Sequence, residues 1–448
     1  MAEIINFRKA GKSIFQSFLQ SGSAGGVILF FCSVIAILAA NVPSLSHIRD
    51  FWDISAGFSI GSFSMEMSLE KWVNEGLMAV FFFMVGLEIK REMMVGELSS
   101  PKKAMLPIFA ALGGMLVPAL IYTAFNYGLP SANGWGIPMA TDIAFAIAVL
   151  AILGKRCPLG LKVFLTALAI VDDLGSIVVL ALFYPSHTLE MTYLLYALLT
   201  MMMLLSFNLL RWNRPLLFVL GGVMLWYLVL KSGVHSTIAG VMLAVTIPSK
   251  TKINEIGFYT AAERLVSRFK SASRGGADVF TNSEQVTVLH SLNNKVDDAN
   301  PLMSRFEVTL HPWVYFLIMP VFALVNAGVE FGDGVWRSEF SSQIAGGIFF
   351  GLVVGKPVGI FFFSWLACRI GVAKLPSSVK WAELLSIGMV GGIGFTMSLF
   401  IDNLAFADNA MVEAGKAAII VTSVVAALLG YLAVILSNRK RTSIKKSI

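Results

Sequence analysis

Long apolar runs recur from one end of this 448-residue chain to the other, and they constrain its fold more than any other feature. Many of these runs are long enough to cross a hydrocarbon core of roughly 30 Å as helices. The chain is 56% hydrophobic and only 14% charged, whereas a soluble protein of this size carries far more charge on its surface. The sequence therefore predicts an all-α polytopic membrane protein.

The apolar runs divide into about twelve predicted spans. They cover residues 25–41, 72–94, 104–127, 135–153, 160–183, 189–210, 214–230, 234–247, 311–329, 343–368, 381–401 and 411–436. The predicted organisation is a cytoplasmic N-terminus over 1–24 with an interfacial helix, spans 1–8 over 25–248, a cytoplasmic loop insert over 249–310, spans 9–12 over 311–436 and a basic cytoplasmic tail over 437–448.

Lysine and arginine are concentrated at the N-terminus and in every second loop, which together hold most of the 34 basic residues. Cytoplasmic loops carry such an excess, so we predict that both termini are cytoplasmic. The net charge of +7 then reflects topology, and we expect no nucleic-acid partner. The three cysteines show no disulfide framework or metal-ligand spacing, and no Walker-type phosphate loop is evident. We therefore expect no cofactor and no ATP-driven transport.

Few ionisable residues lie deep inside the predicted spans, and they mark a candidate functional site. Asp172 and Asp173 are adjacent in the fifth span, Asp142 lies in the fourth and Lys356 in the tenth. Such residues usually belong to an ion or proton pathway, although a structural salt bridge is the plain alternative. Helix neighbours point about 100° apart, so we expect one aspartate to pair with a cation such as Lys356 while the other faces a cavity. Carboxylate oxygens suit Na⁺, Li⁺ and protons, which can compete for one site.

Two predicted spans contain helix-breaking sequences near their middle. The fourth carries Pro138 before Thr141 and Asp142, and the eleventh carries the stretch GMVGGIG. Interrupted helices expose partial charges at mid-membrane, which Asp142 and Lys356 can offset. The two spans are the middle members of trios 3–5 and 10–12, an arrangement typical of inverted repeats with a midplane site. Close helix packing is the alternative explanation of the glycines.

Seven stretches resemble the NhaA-type sodium/proton antiporter family. They are NEGLMAVFFFMVGLEIKRE (74–92), ATDIAFAIAVLAILG (140–154), LTALAIVDDLGSIVVLALFY (165–184), KSGVHSTIAGV (231–241), LHPWVYFLIMPVFALVNAGV (310–329), GKPVGI (355–360) and GGIGFTMSLFI (391–401). The resemblance implies that spans 4 and 11 are unwound and cross. It also implies electrogenic, pH-regulated exchange of cytoplasmic Na⁺ or Li⁺ for external protons in a bacterial inner membrane.

The resemblance also carries over residue roles. It implies that Asp172 and Asp173 bind the transported cation and protons, that Asp142 and Thr141 lie at the helix crossing, and that Lys356 is the lysine of the tenth span. It further implies pH-response roles for Glu88, Arg91, Glu92, His235 and Glu307. Ordinary alternatives remain for these last residues, because Glu88 and Arg91 also form an i,i+3 helix pair and a single histidine is often only a structural hydrogen-bonder.

Residues 57–67 alternate polar and apolar side chains around Gly61 and Ser62, which predicts a two-stranded hairpin. The resemblance implies a homodimer formed through such a hairpin. An ordered loop is the alternative.

The nearest rival function is a sodium-coupled solute symporter on a related fold. The sequence shows no extra polar or arginine-rich lining for an organic substrate. An intramembrane aspartyl protease needs two aspartates that share one water, which adjacent residues of one helix cannot do, so we expect no enzyme activity. A deep Lys356 argues against an open cation pore.

Overall fold

A computed structural model describes residues 24–61, 63–154, 157–185, 189–273, 278–330, 341–376 and 379–444. The predicted interfacial helix at the N-terminus lies outside these residues. The described chain is a bundle of helices with one short β-hairpin.

Eight helices of the described chain are long and apolar enough to cross a membrane, and two bent helix pairs can each cover one more span. Two shorter apolar helices, Pro215–Lys231 and Thr237–Thr246, coincide with predicted spans 7 and 8. The remaining spans are Ala24–Asn41, Leu69–Met94, Pro101–Phe125, Pro130–Met139 with Ile143–Leu153, Leu159–Phe183, Met191–Leu209, Leu302–Asn326, Ser341–Ile370, Trp381–Gly391 with Phe395–Ala405, and Asn409–Ile444. The predicted all-α polytopic architecture is confirmed.

The ninth span begins earlier than predicted. Helix Leu302–Trp313 runs through a π-helical turn, Val314–Ile318, into helix Met319–Asn326. Residues 302–310, predicted to belong to the loop insert, are therefore part of this span. The polar side chains among them lower the local hydropathy, so the apolar pattern did not predict this part of the helix. Leu302 and Met303 are nevertheless buried in an apolar cluster with residues of other spans.

The insert between spans 8 and 9 forms two helices, Glu255–Ser271 and Ser283–Ala299, with a 3-10 turn at Val279–Thr281. Asn254 and Asn282 cap the two helices, because their side chains accept hydrogen bonds from Gly257 N and Gln285 N at 3.0 and 3.3 Å. The backbone N of Lys252 donates to the carbonyl of Asp298 at 2.9 Å. The two ends of the insert are therefore adjacent.

The predicted hairpin is present after the short helices Pro43–Leu45 and Ser46–Trp52. Strands Ser55–Ile60 and Phe63–Ser68 pair antiparallel, in a register that runs from Ser55↔Ser68 to Ile60↔Phe63. Gly61 has φ +61°, as the first residue of a tight two-residue hairpin turn requires.

Spans 3 and 10 approach each other closely at two glycines. A Cβ on Gly113 would overlap the carbonyl oxygen of Gly359, and a Cβ on Gly359 would overlap that of Gly113. Small residues allow such backbone contact inside a membrane. Lys356 lies one helical turn before Gly359, so the close approach sets where its side chain enters the bundle.

Candidate ion-binding site

Spans 4 and 11 are both broken near their middle, with bends of 41° and 49°. In span 4 the 3-10 segment Pro130–Met139 ends before helix Ile143–Leu153 begins, and in span 11 residues 392–394 separate the two halves. The backbone N of Asp142 donates to the carbonyl of Ile393 at 2.7 Å. The two breaks therefore lie against each other, which confirms the predicted crossing.

The carboxylate of Asp142 accepts hydrogen bonds from the N-terminus of the second half-helix in both broken spans. Its Oδ1 accepts a hydrogen bond from Phe145 N at 3.0 Å, and its Oδ2 accepts from Thr396 N at 3.0 Å and Thr396 Oγ1 at 2.5 Å. Helix N-termini carry unpaired N–H groups and partial positive charge. One buried carboxylate thus offsets two half-helix N-termini, as the sequence predicts.

At the same crossing, Lys356 donates a hydrogen bond to the C-terminus of the first half of span 4. Its ammonium lies 2.8 Å from Oδ2 of Asp172 and also donates to the carbonyl of Met139, the last residue of the first half of span 4. Both partners of the ion pair are 1% exposed. The predicted pairing of Lys356 with one of the adjacent aspartates is present.

Thr141 connects three spans at this point. Its hydroxyl oxygen lies 2.6 Å from Oδ2 of Asp172 and 3.0 Å from the carbonyl oxygen of Gly391. Two donors therefore converge on one oxygen of Asp172, while its Oδ1 has no hydrogen-bond partner among the described residues.

Asp173 faces a different environment from its neighbour. It is 1% exposed, and its Oδ1 is buried without a hydrogen-bond partner in the described part of the chain. Asp173 lines a small cavity of about 20 Å³ together with Asp142, Glu88 and Tyr315. That volume suffices for one water-sized guest. The expected division holds: one aspartate pairs with Lys356, and the other faces a cavity.

The two buried carboxylates, Asp172 and Asp173, differ in how their charge is compensated. Taking a carboxylate out of water costs several kcal/mol unless donors or a cation compensate it. Asp172 has Lys356 and Thr141, whereas Asp173 needs a proton or a cation from the cavity. The pair therefore combines one compensated carboxylate with one that has no such partner among the described residues.

Four of the predicted pH-response residues come together between spans 2 and 9. Arg91 forms an ion pair with Glu307, and its Nη2 lies 3.2 Å from Oε1 of Glu92. Glu88 lies one turn before Glu92 and lines the cavity beside Asp173. This group, Glu88, Arg91, Glu92 and Glu307, is called the carboxylate cluster below.

His235 lies apart from the carboxylate cluster. It is buried, and its Nδ1 lies 4.0 Å from Oε1 of Glu75. The other carboxylate oxygen of Glu75, Oε2, accepts a hydrogen bond from Ser236 Oγ at 2.6 Å. Glu75 and Glu92 belong to opposite ends of span 2, about 25 Å apart by helical rise. The structure does not bring His235 together with the other four residues.

A second, larger cavity of about 620 Å³ lies at the Glu75 end of the bundle. Its lining includes Asn74, Asn403, Glu413 and Lys416. Small and large cavities therefore lie toward opposite ends of span 2.

Three residues of this region were not predicted from the sequence. Thr396 binds Asp142, Tyr315 lines the small cavity, and Asp402 is fully buried with neither carboxylate oxygen hydrogen-bonded among the described residues. The predicted eleventh span ended at 401, but its helix continues to Ala405 and so includes Asp402. The signal for Thr396 and Asp402 is the presence of polar residues in the apolar stretch FTMSLFID, directly after the glycines.

Two broken helices that cross at buried carboxylates define the class of secondary cation transporters. The family model described as Na⁺/H⁺ antiporter 1 matches residues 16–434. The Na(+)/H(+) antiporter NhaA of Wolinella succinogenes is 45% identical over 421 residues, which cover 94% of this chain and 92% of that protein. The Na(+)/H(+) antiporter NhaA of Oleidesulfovibrio alaskensis is 43% identical over 418 residues, 93% of this chain and 92% of that protein. The chain belongs to the Na⁺/H⁺ antiporter 1 family, as its motifs predicted.

Proposed function

We propose that this chain exchanges cytoplasmic Na⁺, or Li⁺, for external protons. The observation that carries the proposal is Asp173, a buried carboxylate that borders a one-ion cavity beside an already compensated Asp172. Either a proton or a monovalent cation satisfies Asp173, and one excludes the other. This competition couples the outward movement of one ion to the inward movement of the other.

The other site residues hold the pair in place. Thr141 and Lys356 fix Oδ2 of Asp172, and Asp142 fixes the crossing of the broken helices. A small shift of the half-helices at this crossing can expose Asp172 and Asp173 to one end of the bundle while it closes access from the other end. Such a change is alternating access. The small cavity lies toward Glu88, and the large cavity lies at the Glu75 end.

The charge count of the site supports electrogenic exchange. Two carboxyl groups are available for one monovalent cation, and one of them is paired with Lys356. When Na⁺ binding separates Lys356 from Asp172, and Lys356 and Asp173 each release a proton, two protons are exchanged per Na⁺ and net positive charge moves inward. A potential-sensitive dye in vesicles with equal pH on both sides tests this inference, because electroneutral exchange leaves the dye signal flat.

The carboxylate cluster supports regulation by pH. Arg91 holds two carboxylates, and Glu88 lies between them and the cavity of Asp173. Protonation of this cluster changes the charge next to the cavity. His235 beside Glu75 is a second candidate sensor at the opposite end.

The symporter alternative is disfavoured by the size of the site. Pockets for organic ligands have volumes of about 300–1,000 Å³. The cavity at Asp173 has about 20 Å³.

Topology and assembly belong to the same proposal. The distribution of basic residues supports cytoplasmic termini in a bacterial inner membrane. An isolated two-stranded hairpin is marginal in water, and pairing of strands 55–60 and 63–68 across a homodimer would stabilise it. Cross-linking of a single cysteine introduced at Ser64 tests the dimer.

Everted membrane vesicles with an imposed pH gradient test the exchange itself. Addition of Na⁺ should collapse the gradient, while addition of K⁺ should not, with no organic solute present. A gradient that collapses only when an organic solute accompanies Na⁺ would favour the symporter. No response to Na⁺ at any pH contradicts the proposal.

A further inference from the structure

Tyr315 lies in the π-helical turn Val314–Ile318 of span 9. Such single turns are frequent at functional sites, because the wider turn changes the direction of the side chains that it carries. Here the turn places Tyr315 on the wall of the small cavity, together with Asp173 and Glu88.

The position of the ring is held from two sides. Its centroid lies 4.5 Å from that of His311, one helical turn earlier. On another side span 1 approaches closely at Gly25, where a Cβ would lie 3.2 Å from Cβ of Tyr315. The ring therefore has little freedom to turn away from the cavity.

Tyr315 lines the small cavity beside Asp173, Glu88 and Asp142. All three of these neighbours carry carboxyl groups, while the Arg91 guanidinium pairs with Glu92 and Glu307 of the carboxylate cluster. A phenol offers one donor and an acceptor oxygen. It can thus donate to a carboxylate when the cavity is empty of cations, and it can present its oxygen when a cation is bound.

We propose that Tyr315 is a ligand for the transported cation, contributing its hydroxyl oxygen to Na⁺ bound at Asp173. The proposal rests on the proposed function and adds a neutral oxygen to a site whose charge comes from the aspartates. Alkali cations in proteins prefer several hard oxygen ligands. Asp173 alone cannot surround an ion, and Tyr315 brings an oxygen from the facing span.

The substitution Tyr315→Phe removes this oxygen and keeps the ring. Purified protein is reconstituted in proteoliposomes, and the Na⁺ and Li⁺ concentrations for half-maximal exchange are measured at several pH values. We expect the apparent Na⁺ affinity to fall about tenfold, the size typical of losing one contact to a charged group. The maximal rate and the dependence of affinity on pH should be retained, because both aspartates remain.

Tyr431→Phe provides the matched control, since Tyr431 belongs to span 12 and is not among the residues that line the small cavity. Its affinity should equal that of the unmodified protein. Binding of radioactive Na⁺ to the monodisperse protein in detergent is a second measurement, which remains informative if transport by Tyr315→Phe is lost for another reason.

Unchanged Na⁺ binding in Tyr315→Phe, or a lower maximal rate at unchanged affinity, overturns the ligand role. An equal loss in Tyr431→Phe also overturns it. Failure of the proposed function is distinct, because the unmodified protein would then show no Na⁺-dependent exchange.

Discussion

Lys356 and Asp172 form an ion pair across spans 10 and 5, with Nζ and Oδ2 2.8 Å apart and both side chains 1% exposed. Asp173, the next residue, instead borders the small cavity. The helix thus turns two identical side chains toward different partners. One aspartate is compensated by Lys356, and the other faces the cavity.

Replacing Lys356 with alanine should destabilise the protein. The change leaves Asp172 and the carbonyl of Met139 without the ammonium, and breaking a buried pair costs about 3–5 kcal/mol. Thermal unfolding in detergent should show a clearly lower midpoint. The pH profile of exchange should also shift, because the charge beside Asp173 changes.

The double variant Lys356→Ala, Asp172→Asn tests the reason for this loss. It removes both charges, so it should recover part of the stability that the single variant loses. The exposed pair of Arg49 and Glu330 gives a control, since Arg49→Ala should change stability by at most about 1 kcal/mol. An unchanged midpoint in Lys356→Ala would rule out a stabilising ion pair.

Most of the insert should be dispensable for transport. Its ends are already adjacent at Lys252 and Asp298, so a short Gly/Ser linker in place of residues 253–297 can join them without moving spans 8 and 9. Insertions on exposed loops are well tolerated. We expect Na⁺-dependent proton movement to persist in vesicles, with at most a shifted pH dependence.

A longer deletion provides the contrast. Removing residues 249–306 also removes buried Leu302 and Met303 from the start of span 9. That variant should be unstable or inactive. Loss of exchange in the shorter replacement, at normal membrane levels, would show that the insert takes part in transport.

Replacing Arg91 with alanine should move activation to more alkaline pH. Arg91 is the cation that pairs with both Glu307 and Glu92. Without it the cluster is more negative and holds protons more tightly, so deprotonation requires a higher pH; we expect a shift of about 1 pH unit. The measurement is exchange rate against pH in proteoliposomes, with Arg49→Ala as the control. A shift toward acid pH, or none, contradicts the role of the cluster.

Sequence reasoning predicted the spans and much of the site, because long apolar runs and isolated charges are direct signals of membrane helices and pathways. The split roles of Asp172 and Asp173 followed from helix geometry alone. The pairing of Lys356 with an aspartate followed from the cost of burying an isolated charge.

Other features depend on contacts that no local pattern contains. Thr396 binds Asp142, which lies 254 residues earlier, only because the breaks in spans 4 and 11 meet in space. Tyr315 reaches the cavity through a π-helical turn, which periodicity cannot reveal. The start of span 9 was misplaced because its first turns are polar and gain their burial from packing against spans 2 and 8.

The most direct measurement is the apparent Na⁺ affinity of the reconstituted protein across a range of pH. The proposed competition of Na⁺ and protons for Asp173 and Asp172 predicts that the affinity weakens as pH falls. The expected weakening is about tenfold per pH unit for each proton that must leave, in the range below the relevant pKa. The two carboxyl groups should titrate as a coupled unit. Asp173→Asn should insert and fold but perform no exchange. An affinity that is independent of pH, or robust exchange by Asp173→Asn, would contradict competition at these carboxylates.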